Sequence, residues 1–329
     1  MKRSPISLPF ILLALCVLLV QCQSDNSNTA LNKTTPQLLT FDAANETDLY
    51  TRNEVIYGRT YGTALTMEVF TPKSGANGRG IVFFVSEGWY SDRSKIEGNI
   101  ALYIEPLIKS GYTVFAVVHG SNPKFSLQEN VEHAQRAVRF IRFHAARFGI
   151  DGQRLGATGD SAGGHLSLLV GNLNPTIDEA ITDSVERMSS QVQAVVAFFP
   201  PTDFLNWGKT GSYMLGQHPK VPLLGAFRFH QLDSSTNTLE MVKDSAQIIA
   251  TAKALSPVYS VNEQSAPTLI IYGDHDSYIP TQQSELYAAR LRTLRVPCRV
   301  IVEKGGEHDA ATIKNNFQEA LSWLDNYLK

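Results

Sequence analysis

The run Gly159-Asp160-Ser161-Ala162-Gly163 sets a serine among small residues, between an apolar run at 154–158 and a small-residue stretch at 162–173. A serine hydroxyl is a poor nucleophile alone, but a sharp strand-to-helix turn exposes it for attack. Only small flanking residues avoid collision at such a turn, and Gly159, Ala162, Gly163 and Gly164 meet that need. Ser161 Oγ would then stand at the carboxyl end of a sheet, beside the positive end of a helix. The Ala162 amide, first in that helix, would point at a developing oxyanion. The chemistry implied is attack on an acyl carbonyl. The competing reading is a Gly-rich structural turn.

Such a serine needs a base and an acid that orients it, and after a strand-turn-helix serine the chain order is acid, then histidine. Downstream stand His165, His218, His230, His275 and His308. His165 falls on the helix that follows the serine, where a structural role fits best. His218 and His230 fall in an irregular stretch. His308 stands in Lys304-Gly305-Gly306-Glu307-His308-Asp309, a Gly-rich loop between the last strand and the last helix, and is the expected base. The loop Gly273-Asp274-His275-Asp276-Ser277-Tyr278-Ile279-Pro280 offers two acids. Asp276 lies deeper in the loop, with room to turn toward His308. Asp274 sits against the strand end and is expected to bond loop amides. His275 between them reads as a solvent-side residue.

These residues require an alternating scaffold. Strands are predicted at 81–85, 112–118, 154–158, 192–199, 268–272 and 299–303, with helices at 100–110, 162–173 and 313–328. A capping box, Ser126 with Glu129, opens a further helix whose apolar residues run from Val131 to Phe148, with Gly149 ending it. Continuous Val/Ile/Phe runs fit strands buried on both faces. The βαβ order predicts an α/β fold with a mostly parallel, doubly wound sheet and helices on both faces. The alternating run at 66–71 reads as an antiparallel edge strand. Residues 206–255 read as an irregular insertion, a candidate lid or substrate wall.

The chain has 329 residues, of which 43% are hydrophobic and 18% charged, an ordinary globular composition. The formal net charge is −2, with no basic run that would serve nucleic acid. Lys2 and Arg3 precede an apolar run at 9–20 that is too short to cross a bilayer and reads as a secretory signal. Leu19-Val20-Gln21-Cys22 resembles a bacterial lipoprotein box, from which Gln21 departs because a small residue usually precedes the cysteine. Export is the expectation, with membrane attachment only through a lipid on Cys22, a point left open. The domains expected are a signal at 1–22, a polar linker at 23–50 and a catalytic domain at 51–329. Loss of the signal moves the charge to −4, because Lys2 and Arg3 leave with no anion. It also leaves Cys298 as the sole cysteine, in a strand-like context that suggests core packing.

From about residue 57 onward the chain resembles the serine α/β-hydrolases. Within them it is most similar to carboxylesterases grouped with the bifunctional feruloyl and acetyl-xylan esterases (BD-FAE-like). The resemblance rests on G-D-S-A-G-G at 159–164, G-D-H-D-S-Y-I-P at 273–280 and G-G-E-H-D at 305–309. Pro200-Pro201-Thr202-Asp203 and Ser256-Pro257-Val258 support it. It implies a catalytic set of Ser161, His308 and Asp276, no metal or cofactor, and small-molecule or carbohydrate esters as substrates. Relatives carry H-G-G-G-W after the strand that ends here at Val85, where this chain has Ser86-Glu87-Gly88-Trp89-Tyr90. The backbone amides of Glu87 or Gly88, with that of Ala162, are the expected oxyanion donors. Glu87 stands in place of a glycine, where a side chain would restrict a positive φ and its charge would oppose an oxyanion. Trp89 and Tyr90 are candidate substrate walls. The alternatives are an oligopeptidase-type serine peptidase and a hydrolase fold that serves only as a binding protein.

Overall fold

The structure, a computed structural model, describes residues 47–172, 181–216, 220 and 223–329. The expected signal with Cys22, nearly all of the polar linker, and His218 lie outside the described residues. The described residues fall in one compact unit.

In chain order the strands are β1 (Tyr50–Thr60), β2 (Thr63–Pro72), β3 (Gly80–Val85), β4 (Thr113–Val118), β5 (Leu155–Asp160), β6 (Ala194–Phe198), β7 (His230–Asp233), β8 (Thr238–Met241), β9 (Thr268–Gly273) and β10 (Cys298–Glu303). The α-helices are α1 (Lys95–Asn99), α2 (Glu105–Lys109), α3 (Leu127–Phe143), α4 (Ala162–Asn172), α5 (Ser245–Ala254), α6 (Pro257–Ser260), α7 (Gln282–Thr293) and α8 (Ala310–Tyr327).

Eight strands form one sheet in the order β1-β2-β4-β3-β5-β6-β9-β10. The pairs β1/β2 and β2/β4 are antiparallel and the rest are parallel. Every residue of β3, β6 and β9 is buried, as their unbroken apolar runs require when both faces are covered. Strand order reverses about β3, which lies between β4 and β5. The loops after β3 and β5 therefore flank a topological switch point, where open α/β sheets bind ligands.

Three expectations need correction. The run at 66–71 is antiparallel but internal, because β1 covers it and forms the edge. The expected helix at 100–110 starts earlier, at Lys95, and passes through a π-helical turn at Ile100–Ile104 before α2. Pro106 follows the π-helical turn directly, at the start of α2. The described part of the stretch at 206–255 contains regular elements, the β7/β8 hairpin and α5. Strands of four residues with exposed side chains leave almost no periodic signal. The capping box forms as expected, with Glu129 Oε2 accepting the Ser126 N–H at 2.8 Å. Cys298 lies on the edge strand β10, half-buried against the core, and burial pushes its thiol up to about 11.

Candidate active site

β5 ends at Asp160 and α4 begins at Ala162, so Ser161 alone makes the turn. It adopts a φ of 50°, a left-handed conformation that costs a non-glycine residue about 1 kcal/mol or more. Its N–H donates to the Phe198 carbonyl at 2.9 Å, which ties the turn to the end of β6. Gly163 lets α4 pack against β3: a Cβ there would lie 2.5 Å from the Phe84 carbonyl oxygen. Ala162 is first in α4, so its N–H has no acceptor within the helix.

The loops after β9 and β10 bring Asp276 and His308 together. A Cβ on Gly273 would lie 2.1 Å from the Gly306 carbonyl oxygen, so only glycine permits this approach. The His275 N–H donates to that same Gly306 carbonyl at 2.9 Å, and Asp274 Oδ1 accepts the Gly305 N–H at 2.6 Å. Asp276 turns inward. Its Oδ1 accepts the Tyr278 and Ile279 amides at 2.8 and 2.9 Å, and its Oδ2 meets His308 Nδ1 at 2.8 Å. The Asp276 side chain is 1% exposed and that of His308 17%. Asp309 caps α8 by accepting the Thr312 N–H at 3.0 Å, which fixes the residue after His308. The His308 ring is flanked by Phe199, 4.2 Å between centroids, and by Tyr278 at 5.4 Å. His275 has its side chain 71% exposed. His165 is buried between the Trp89 indole and the Leu255 carbonyl, and burial lowers it to about 4.

The loop after β3 differs from expectation in two respects. The positive φ values fall on Gly88 (56°) and Trp89 (62°), not on Glu87, so the Glu87 side chain imposes no strain. Glu87 and Tyr90 exchange backbone hydrogen bonds at 2.8 and 2.9 Å, which occupies the Glu87 N–H. Glu87 is thereby removed as an oxyanion donor. Among the described residues no backbone acceptor takes the N–H of Gly88 or Trp89. The Glu87 carboxylate pairs with Lys95 Nζ at 2.8 Å on the exposed side, which offsets its charge.

Trp89 lines the cavity that Ser161 lines, but its side chain is held in the core. Its residue is 2% exposed, with the indole packed edge-on against His165, Phe204 and Phe227. The indole Nε1 donates to His165 Nδ1 at 3.2 Å, and the Trp89 carbonyl accepts Asn130 Nδ2 at 3.1 Å. Ser86 Oγ bonds His119 Nε2 at 2.9 Å. Burial lowers His119 to about 4, which keeps it neutral. Three buried partners on α3, α4 and the β4 loop thus hold the strained loop in place. Tyr90, by contrast, is 43% exposed.

A cavity of about 880 Å³ joins these parts. Ser161, Ala162, Gly88, Tyr90, Phe199 and His308 all line it. Asp160 lines it too; burial raises its carboxyl, while the hydrogen bond from Tyr103 Oη at 3.0 Å and nearby His308 lower it. Among the described residues no group of three His, Cys, Asp or Glu side chains is placed to hold a metal ion. Sequence reasoning missed Asn130, His119 and Phe199. Asn130 carried a signal, being a polar residue within the apolar periodicity of α3. His119 and Phe199 act through partners distant in sequence, which no local pattern shows.

A central, mostly parallel sheet with a strained serine after β5 and a bonded aspartate–histidine pair after β9 and β10 defines the α/β-hydrolase fold. The chain belongs to the BD-FAE family, whose model matches residues 67–291. It is 25% identical over 241 residues to a probable carboxylic ester hydrolase, LipM, of Mycobacterium tuberculosis, covering 73% of this chain and 51% of that one. It thus spans about half the length of the curated relatives it matches. Among solved structures, a truncated carbohydrate esterase from gut microbiota has a TM-score of 0.69 at 21% identity, covering 87% of this chain and 99% of that one. An acetyl ester-xyloside bifunctional hydrolase from Caldicellulosiruptor lactoaceticus has a TM-score of 0.61 at 20% identity, covering 84% and 93%.

Proposed function

We propose that the chain is an exported serine carboxylic-ester hydrolase that works through an acyl-enzyme. The observation that carries this reading is the Asp276–His308 bond at 2.8 Å, which holds His308 in the wall of the cavity that strained Ser161 also lines. Asp276 accepts a hydrogen bond from the Nδ1–H and so holds the tautomer in which Nε2 is the base for the Ser161 hydroxyl. Ser161 Oγ attacks the acyl carbonyl and the proton passes to His308. The oxyanion that forms is met by the Ala162 N–H and by the free amides of Gly88 and Trp89. His308 then protonates the leaving alcohol, and water deacylates the enzyme by the same route.

Acetyl or feruloyl esters of polysaccharide are the proposed substrates. Family membership and the carbohydrate-esterase neighbours support that choice. Export rests on the basic and apolar run at 2–20, and N-terminal sequencing of the released chain tests it. The enzymatic reading is tested by turnover of p-nitrophenyl acetate beside peptide anilides. Ester cleavage without anilide cleavage is expected. Anilide cleavage would favour a peptidase, and no turnover of either would favour a binding protein.

A further inference from the structure

A second cavity of about 320 Å³ lies beside the catalytic one, and Tyr90 and Asn122 line both. Its other walls come from β2 and the loop after β4, including Thr63, Thr66, Ser121 and Lys124. The lining sets several hydroxyl side chains and the Asn122 amide among apolar groups such as Ala64, Leu65 and Phe125. Lys124, the sole Lys, Arg, Asp or Glu in it, turns its ammonium onto the Tyr61 carbonyl, at 2.8 Å, and the Thr63 hydroxyl. Tyr90 presents an exposed ring at the boundary, and its backbone is fixed to the oxyanion loop by the paired bonds with Glu87. An aromatic face beside uncharged hydrogen-bonding groups suits a sugar ring, which offers apolar C–H faces and a hydroxyl edge.

We propose that this second cavity is a subsite for a neutral glycosyl unit adjoining the one that bears the ester. The proposal rests on the esterase reading above, and it makes the enzyme prefer oligosaccharide esters to isolated ester groups. The test compares p-nitrophenyl acetate with acetylated xylose, xylobiose and xylotriose on the wild type and on Ala64→Trp. Ala64 lines the second cavity alone and is exposed, so the indole fills the subsite without entering the catalytic cavity. In the wild type kcat/KM should rise by about fivefold or more from the mono- to the disaccharide ester, a gain of one good contact. Ala64→Trp should abolish that rise and leave p-nitrophenyl acetate turnover within about twofold, which also reports that it folds. No rise in the wild type, a rise that survives Ala64→Trp, or a gain that follows acyl length instead would each overturn the subsite. Failure of the wild type to cleave p-nitrophenyl acetate would instead overturn the esterase reading.

Discussion

Asp274 and Asp276 are the same side chain two residues apart, and their surroundings separate them. Asp274 Oδ1 spends itself on the Gly305 amide, whereas Asp276 reaches His308 from a side chain that water scarcely touches. Asp276→Asn should lower kcat by about 10⁴ through the wrong imidazole tautomer, and Asp274→Asn by less than about tenfold. Steady-state kinetics on the pair checks this, and equal losses would reject the assignment. Phe199 makes a second case. It holds a φ of 37° and lies against the His308 ring, so its strain is kept where it fixes the base. Phe199→Leu should lower kcat by roughly 10–100-fold with little change in KM, because a small misplacement of the base slows chemistry more than binding. Ser161, Asp276 and His308 could be read from the sequence because each follows a strand end in a loop of small or polar residues. Phe199 closes an apolar run and looks like any strand residue.

The loop after β3 is the element where sequence and structure part most. Glu87 reads as an obstacle beside the family's glycines. In the fold it occupies a hydrogen-bonded turn position, and Gly88 and Trp89 take the left-handed conformations. Glu87→Ala should therefore keep kcat within about threefold of wild type, since neither its amide nor its paired carboxylate serves the oxyanion. A tenfold loss or more would reject that view. Asn130→Leu, which keeps the size but loses the N–H to the Trp89 carbonyl, should lower kcat by about tenfold or more while KM for p-nitrophenyl acetate holds. The main strands were legible because burial on both faces demands unbroken apolar runs. The β7/β8 hairpin was not, because four-residue exposed strands need no such pattern.

Over the whole molecule, three buried imidazoles link stability to pH. Burial, the main cause in each, lowers His119 and His165 to about 4 and His133 to about 3. Below pH 6.5 the unfolded chain binds protons that these rings refuse, so stability falls as pH falls toward 4. Asp160 and Glu132, both raised by burial, act in the opposite sense, while His144, lowered by burial, adds to the fall. The Tm should drop by roughly 10 °C between pH 7 and pH 5, and a flat profile would show that these rings are not buried as described. The scaffold at this scale has one task, which is to bring loops from β3, β5, β9 and β10 to a single cavity around Ser161. A fluorophosphonate probe followed by peptide mass spectrometry reports on that directly. One adduct per chain is expected, on the peptide that carries Ser161, and none with Ser161→Ala. An unlabelled wild-type protein, or an adduct on another residue, would contradict the assignment of Ser161 as the nucleophile.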